Sequence, residues 1–197
     1  MAKEVIGVGA APNDGTGDTL RDAMIKANNN FTEVYDFSFT KTYWFDANDT
    51  ATTATPISHG AGATGTYLTN NAAGTGTTSH NPNSNATLWN TSTNKFDFTS
   101  LKIGDTVEFR IDINLTNGAA QEVDLFMSIA EGTASPYELN MNHAYYKTAS
   151  TLANDTVLFR IYIGDETTRT GGARFRFASL DAATIVVNGW FYQITEV

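Results

Sequence analysis

The groups in this sequence whose types could do chemistry are three histidines, several acidic turns, a glycine-rich stretch and a few aromatic residues in a polar segment. His59, His80 and His143 are the chain's three histidines. A zinc site needs three or four ligands at close spacing. These stand far apart and nothing else nominates a further ligand, so we read them as loop or surface histidines. The turns Asn13-Asp14-Gly15-Thr16-Gly17-Asp18 and Asp46-Ala47-Asn48-Asp49-Thr50 carry oxygen donors of the kind that hold Ca²⁺. Neither completes an EF-hand loop, and turn chemistry accounts for both. Gly7-Val8-Gly9 opens like a dinucleotide loop but lacks the third glycine and a helix directly after it. No Gly-Lys-Ser/Thr phosphate loop and no Gly-x-Ser-x-Gly elbow occurs. Glycosidic chemistry needs two carboxylates at a set separation, and Asp112 and Asp124 fit the wet faces of strands better. The reading is therefore not an enzyme, with no cofactor and no resident metal.

One binding chemistry remains. No Asp, Glu, Lys or Arg lies between Asp49 and Lys95, a run of Thr, Asn, Gly and Ala punctuated by Ile57, Tyr67, Leu68, Leu88 and Trp89. Aromatic faces beside short polar side chains suit sugars, which makes Tyr67 and Trp89, with His59 and His80 nearby, candidate glycan contacts. The competing reading makes Tyr67 and Trp89 core anchors of short strands joined by long loops.

These residues have to be positioned by strands. Val107, Phe109, Ile111, Ile113 and Leu115 alternate with Glu108, Arg110, Asp112 and Asn114, the period of a strand with one wet face. Asn117-Gly118 then signals a hairpin into a strand with Val123, Leu125, Met127 and Ile129 inward. Val157, Phe159, Ile161 and Ile163 form another inner row, and Phe175 and Phe177 a further one opposite Arg174 and Arg176. Many strands separated by Gly, Asn and Asp turns predict a β-sandwich or jelly roll over residues 41–197. The last segment is apolar on both faces, with Ile185, Val187 and Phe191 on one and Val186, Trp190, Tyr192 and Ile194 on the other. A second apolar face needs cover, and we assign Trp190, Tyr192 and Ile194 to a subunit interface.

The front end differs. Asp18 or Thr16 is placed to cap a helix over about residues 18–37. Leu20, Met24, Ala27, Phe31 and Val34 step by four, three, four and three residues, a seam of heptad spacing. Asp22, Lys26, Asn29 and Glu33 lie off it, and Asn28, Asn29 and Asn30 are weak helix formers. One amphipathic helix of this length is marginal alone. It either packs on its own β domain or meets copies of itself or a docking partner, and the second is the reading we favour.

Composition narrows the partners. The chain has 197 residues, no cysteine, a formal net charge of −9 and 17% charged residues. Acidic balance argues against binding a nucleic-acid backbone. No apolar run reaches membrane-spanning length, so no membrane insertion is expected, and the start carries no Sec-type leader pattern.

Pro12, Asn13, Asp14, Gly15, Thr16, Gly17 and Asp18, then Leu20, Arg21, Ala23, Lys26, Asn28, Asn30, Phe31, Glu33 and Tyr35 resemble a motif near the N-termini of many bacteriophage virion proteins. Val34 replaces the commoner Leu. The resemblance covers about the first 35 residues and implies a phage structural protein of fibre or head-decoration type. More weakly, the strand pattern after Tyr43 resembles the trimeric jelly-roll heads of the tumour-necrosis-factor class. The expectation is a mainly β protein, a jelly-roll/TNF-like β-sandwich with a short N-terminal anchor segment and amphipathic helix. Residues 1–40 would be the attachment and assembly segment, with Asn13, Asp14, Gly15, Asp18, Leu20, Met24, Ala27, Phe31, Val34 and Tyr35 carrying it. The implied location is the virion, as a homotrimeric capsid decoration protein or short head fibre touching other virion proteins. The alternative is a tail fibre or receptor-binding adhesin recognising host surface glycan.

Overall fold

The computed structural model describes residues 4–11, 14–38, 42–75, 87–150 and 152–197. The chain divides into two compact units, Met1–Thr40 and Lys41–Val197. The first holds one helix, α1 (Leu20–Ser38), behind an extended segment and a turn. In the second, β1 (Thr42–Asn48), β2 (Ile57–His59), β3 (Thr66–Tyr67), β4 (Gly74–Thr75), β5 (Trp89–Asn90) and β6 (Lys95–Phe96) precede the long strands. These are β7 (Thr106–Asn117), β8 (Gln121–Ile129), β9 (Tyr137–Tyr146), β10 (Leu152–Tyr162), β11 (Ala173–Ser179) and β12 (Ala183–Thr195). Two short helices, α2 (Ala51–Ala54) and α3 (Glu166–Gly171), sit between strands.

The strands form two antiparallel sheets. One runs β10-β7-β12-β1-β4 with β2 on β12, and the other β5-β6-β11-β8-β9 with β3 on β11. From β6 onward the chain passes to the opposite sheet at each connection except β8 to β9. This alternation between facing sheets is a jelly roll, and the fold is a jelly-roll β-sandwich with an N-terminal segment and helix. The period-two rows meet between the sheets. Val107, Phe109, Ile111, Ile113 and Leu115 are buried against Val123, Leu125, Met127, Ile129, Phe175 and Phe177. Phe96 sits among Trp89, Phe109, Phe175, Trp190 and Tyr192, with ring centroids 4.8–5.9 Å away.

Two expectations are corrected. Asn117-Gly118 does not make a hairpin, because β7 and β8 belong to different sheets. The turn crosses between sheets, with Gly118 N–H donating to Ala182 O at 2.8 Å. The register is instead handed over within one sheet between β8 and β9. The strand β9 was not visible in the sequence, since its mostly half-exposed residues alternate weakly.

The largest correction concerns β12. Uniform alternation would place Trp190, Tyr192 and Ile194 opposite Ile185 and Val187. Pairing with β7 shifts between Val187 and Gly189, so Asn188 is the extra residue of a β-bulge. One inserted residue resets the parity of everything after it. Ile185, Val187, Trp190, Tyr192 and Ile194 therefore share the inner face, each at most 1% exposed, and Phe191 turns outward. Trp190, Tyr192 and Ile194 belong to the chain's own core, and the subunit interface expected there is overturned. The Tyr192 hydroxyl accepts from the Leu88 N–H at 3.0 Å, and burial pushes its phenol up to about 12. The bulge is pinned by α2: Val187 N–H donates to Thr52 Oγ1 at 2.9 Å, and Asp49 accepts from both the Thr52 N–H and its hydroxyl at 2.6 Å.

Candidate attachment site

The N-terminal unit is built from polar side chains that close backbone on backbone. Asp14 Oδ2 accepts from Ala10 N–H (2.6 Å) and Ala11 N–H (2.7 Å), and Oδ1 from Thr16 N–H (2.8 Å). Donors aimed at a carboxylate favour its charged form. The Thr16 and Ala11 amides, with smaller help from Ala10, hold Asp14 down at about 2. Two glycines make the closure fit. Gly9 takes φ +77°, and a Cβ there would lie 2.6 Å from Asp14 Oδ1. A Cβ on Gly17 would press within 3.1 Å of the backbone at Gly7, Val8 and Gly9.

Neither Asp18 nor Thr16 caps the helix. Thr19 does: Ala23 N–H donates to Thr19 O at 2.9 Å, and Asp22 N–H to Thr19 Oγ1 at 3.2 Å. The Thr19 hydroxyl donates in turn to Asp22 Oδ2 at 2.6 Å. Asp22 also puts a negative charge in the first turn, where the helix dipole favours it.

Asp18 is free for a different task. Its Oδ2 accepts from Gly7 N–H and from Lys26 Nζ, both at 2.7 Å, and its own N–H donates to Gly7 O at 2.8 Å. Lys26 first, then the Gly7 amide, draws its carboxyl below the usual range. Lys26 Nζ also reaches Val5 O at 3.1 Å. One turn on, Asn30 pairs with the Glu4 backbone as a strand would: Glu4 N–H donates to Oδ1 at 3.0 Å and Nδ2 donates to Glu4 O at 2.9 Å. Asn29 Nδ2 donates to the Glu4 carboxylate at 3.2 Å. Residues 4–7 thus run antiparallel along one face of α1, gripped by Asn30, Lys26 and Asp18. Asn30, poor in a free helix, is there to hold this segment. The grip was missed in the sequence, although polar Asp18, Asp22, Lys26 and Asn30 recurring every fourth residue is its signature.

The seam runs along the adjoining, exposed flank of the helix. Leu20 is 81% exposed, Met24 55%, Phe31 73% and Val34 63%. Ala27 is half-buried, and Ile25 joins the exposed apolar set. Asp14, Gly15 and Asp18 belong to the turn that sets the helix start. Asn13 lies outside the described residues, as does the side chain of Tyr35.

The sandwich has its own exposed apolar side chains. On the edge strand β10, Leu152, Leu158 and Tyr162 are 60–69% exposed. On the same outer face Trp44 and Phe191 stack with centroids 6.1 Å apart, and the Arg110 guanidinium lies 5.7 Å over Phe191.

The two candidate glycan contacts are not brought together as an open site. Trp89 is buried, its Nε1 donating to Asn70 O at 2.9 Å; it is a core anchor, and its assignment to sugar is overturned. Tyr67 is exposed, with its hydroxyl donating to Glu131 and Arg174 lying 5.1 Å over its ring. His59 is buried between Thr66 Oγ1 (2.8 Å) and Ser179 O (3.1 Å). His143 is surface-exposed and paired with Asp124 at 2.7 Å, a contact that raises its pKa. His80 lies outside the described residues. Among the described residues, no three His, Cys, Asp or Glu side chains gather as a metal site, and no helix is long and apolar enough to cross a membrane.

Residues 3–134, about two thirds of the chain, match the family model of the bacteriophage T4 gp9/10-like protein, N-terminal, and the chain belongs to that family. The family is a phage structural one rather than a family of enzymes. No curated protein matches the sequence. Among solved structures, infectious bursal disease virus, Gx strain, is similar at 11% identity and a TM-score of 0.41, with 79% of this chain and 32% of that one covered. Eiger TNF from S. frugiperda is similar at 10% identity and a TM-score of 0.43, covering 79% of this chain and 92% of that one.

Proposed function

We propose that this phage structural protein is a homotrimeric component of the virion, attached to its neighbours through the N-terminal unit. The observation that carries the reading is the exposed heptad seam on α1. Four of its five members are more than half exposed, at the spacing that lets like helices interlock. The adjoining face of the same helix is spent on gripping residues 4–7, which leaves the apolar stripe to a partner. Leu158, Tyr162 and Leu152 on β10 supply a second apolar surface for contacts between sandwiches, in place of the buried Trp190, Tyr192 and Ile194.

Light scattering on the purified chain, with antibody labelling of intact particles, tests the proposal. Three times the 21.3 kDa of one chain, with label on the particle, is the expected outcome. Label on the capsid makes it a decoration protein or head fibre, and label on the tail a tail-fibre component. A monomer at micromolar concentration, or particles without label, overturns the proposal.

A further inference from the structure

A cavity of about 360 Å³ opens beside β6, lined by Asn90, Thr93, Lys95, Asp97, Thr170 and Arg174 over a floor that includes Gly171 and Gly172. Its size falls at the small end of ligand sites, roughly 300–1,000 Å³. Its chemistry is unusual for a net-acidic chain. Two cations and one carboxylate face a ring of hydroxyl and amide groups. The Thr170 hydroxyl donates to Glu166 O at 2.8 Å and keeps its lone pairs to accept with, and other groups keep part of their capacity. Asn90 Oδ1 accepts from Ser92 N–H (3.0 Å) and Thr93 N–H (3.2 Å), while its side-chain NH₂ makes no hydrogen bond among the described residues. Lys95 Nζ donates to Glu131 O at 3.2 Å, one of the three protons an ammonium can give. Arg174 Nε is buried in an ion pair with Glu131 Oε2 at 3.3 Å, which leaves the outer nitrogens of its guanidinium to a ligand. Asp97 accepts from the Thr99 N–H (2.9 Å) and hydroxyl (2.7 Å), both through Oδ1.

These groups select a ligand. Several neutral donors and acceptors suit a polyol. Asp97 suits hydroxyl donors and opposes a dianion such as phosphate. Lys95 and Arg174 suit a single carboxylate, since charge-assisted bonds to a carboxylate are the stronger ones. The only aromatic residue in the lining, Phe96, is fully buried, so no exposed ring is offered to a nucleobase. We propose that this cavity binds a saccharide bearing one carboxylate, a uronic acid within a glycan chain, with Lys95 and Arg174 on the carboxylate and Asn90, Asp97 and the threonines on the hydroxyls. The proposal stands apart from trimer formation and from the position of the protein on the particle.

The test is calorimetric titration of the full chain with a tetrasaccharide of alternating glucuronate and N-acetylglucosamine, against a neutral tetramer of N-acetylglucosamine. Saturable binding of the acidic sugar is expected, with the neutral one weaker by about tenfold or more, the loss of one charge-assisted contact. Arg174→Met and Lys95→Gln should each weaken the acidic sugar by a similar factor at unchanged circular dichroism. Should Arg174→Met disturb the fold, exposed Thr170→Val and Lys95→Gln decide. No heat and no saturation-transfer signal up to about 10 mM, a range that reports even millimolar affinity, overturns the proposal. Equal affinity for the neutral sugar, or folded variants that bind as well as the wild type, overturns it too.

Discussion

Phe31→Asp reports directly on the seam. Phe31 is 73% exposed in the single chain, so its ring has most of its area left to bury in an assembly. Burying such a ring is worth about 1.5–3 kcal/mol, and a carboxylate in the same place meets a desolvation cost with no partner. Together the change costs on the order of 3–5 kcal/mol per chain, or roughly 10–15 kcal/mol across a three-fold seam. At about 1.4 kcal/mol per decade, that is at least ~7 decades in the trimer dissociation constant. Because this constant scales as concentration squared, the midpoint concentration of assembly rises by at least ~3 decades. Sedimentation velocity from 1 to about 100 μM covers the range in which a trimer of nanomolar midpoint would become monomer. Phe31→Leu, which keeps the seam apolar, should remain trimeric. A Phe31→Asp chain that stays at three times the monomer mass at 1 μM refutes the seam as the assembly surface.

Removing residues 1–40 should leave a cooperatively melting sandwich, because the remaining unit holds its own core, and should abolish recovery on purified particles. A truncated chain that loads at the wild-type level removes the attachment role, and one that fails to fold removes the independence of the two units. Tyr192→Phe deletes the acceptor of the buried Leu88 N–H and should cost about 1–3 kcal/mol in chemical denaturation; no change would mean that water reaches that amide. The Asp14 turn has a pH signature: its folded pKa of about 2 lies below the ordinary 3.8. Its contribution is present above about pH 4 and lost as pH falls through 2, so the amide shifts of Ala10, Ala11 and Thr16 should titrate near 2, and a midpoint near 4 would contradict the three donors. Trp89→Ala should destabilise by about 3–5 kcal/mol as a buried aromatic, whereas Tyr67→Phe, losing one exposed hydrogen bond, should cost under ~1.5 kcal/mol. Equal effects would put the two residues back in one class.

The rows of alternating apolar residues were legible because each long strand has one face on the core and one in water. Val107 to Leu115 and Phe175 to Phe177 need nothing beyond period two. What the sequence hid was parity and pairing. Asn188 is a single residue in a regular-looking run, yet it decides which face Trp190 belongs to, and no local pattern marks it. Asn117-Gly118 has hairpin chemistry, but a jelly roll spends that turn on a crossing between sheets. In the front unit the seam was legible as spacing, while the cap was displaced by one residue, to Thr19. Asp18 looked like a cap because an acid before an apolar run usually is one; here Lys26 and Gly7 claim it. The cavity beside β6 gathers Asn90 and Lys95 from one stretch of chain and Thr170 and Arg174 from another, about eighty residues on. Only the sheet brings them together.

The two units follow opposite rules, and the difference bears on assembly. The sandwich turns most of its apolar rows inward and closes a core within one chain. The N-terminal unit turns its polar side chains inward onto residues 4–11 and its apolar seam outward. Its internal bonds join exposed groups, each hydrogen bond worth about 0.5–1.5 kcal/mol net and the Lys26–Asp18 pair about 0–1 kcal/mol. Fixing the backbone costs about 1–2 kcal/mol per residue, and a helix of 19 residues gains little on its own. The polar grip therefore sets the shape of the unit without stabilising it enough to stand alone. In the proposed assembly, burial of Leu20, Met24, Phe31 and Val34 against partners would add about 1.5–3 kcal/mol for each fully buried side chain. A helix arranged this way would gain its stability from the proposed assembly, and a single charge on its exposed seam should then act on the particle rather than on the sandwich.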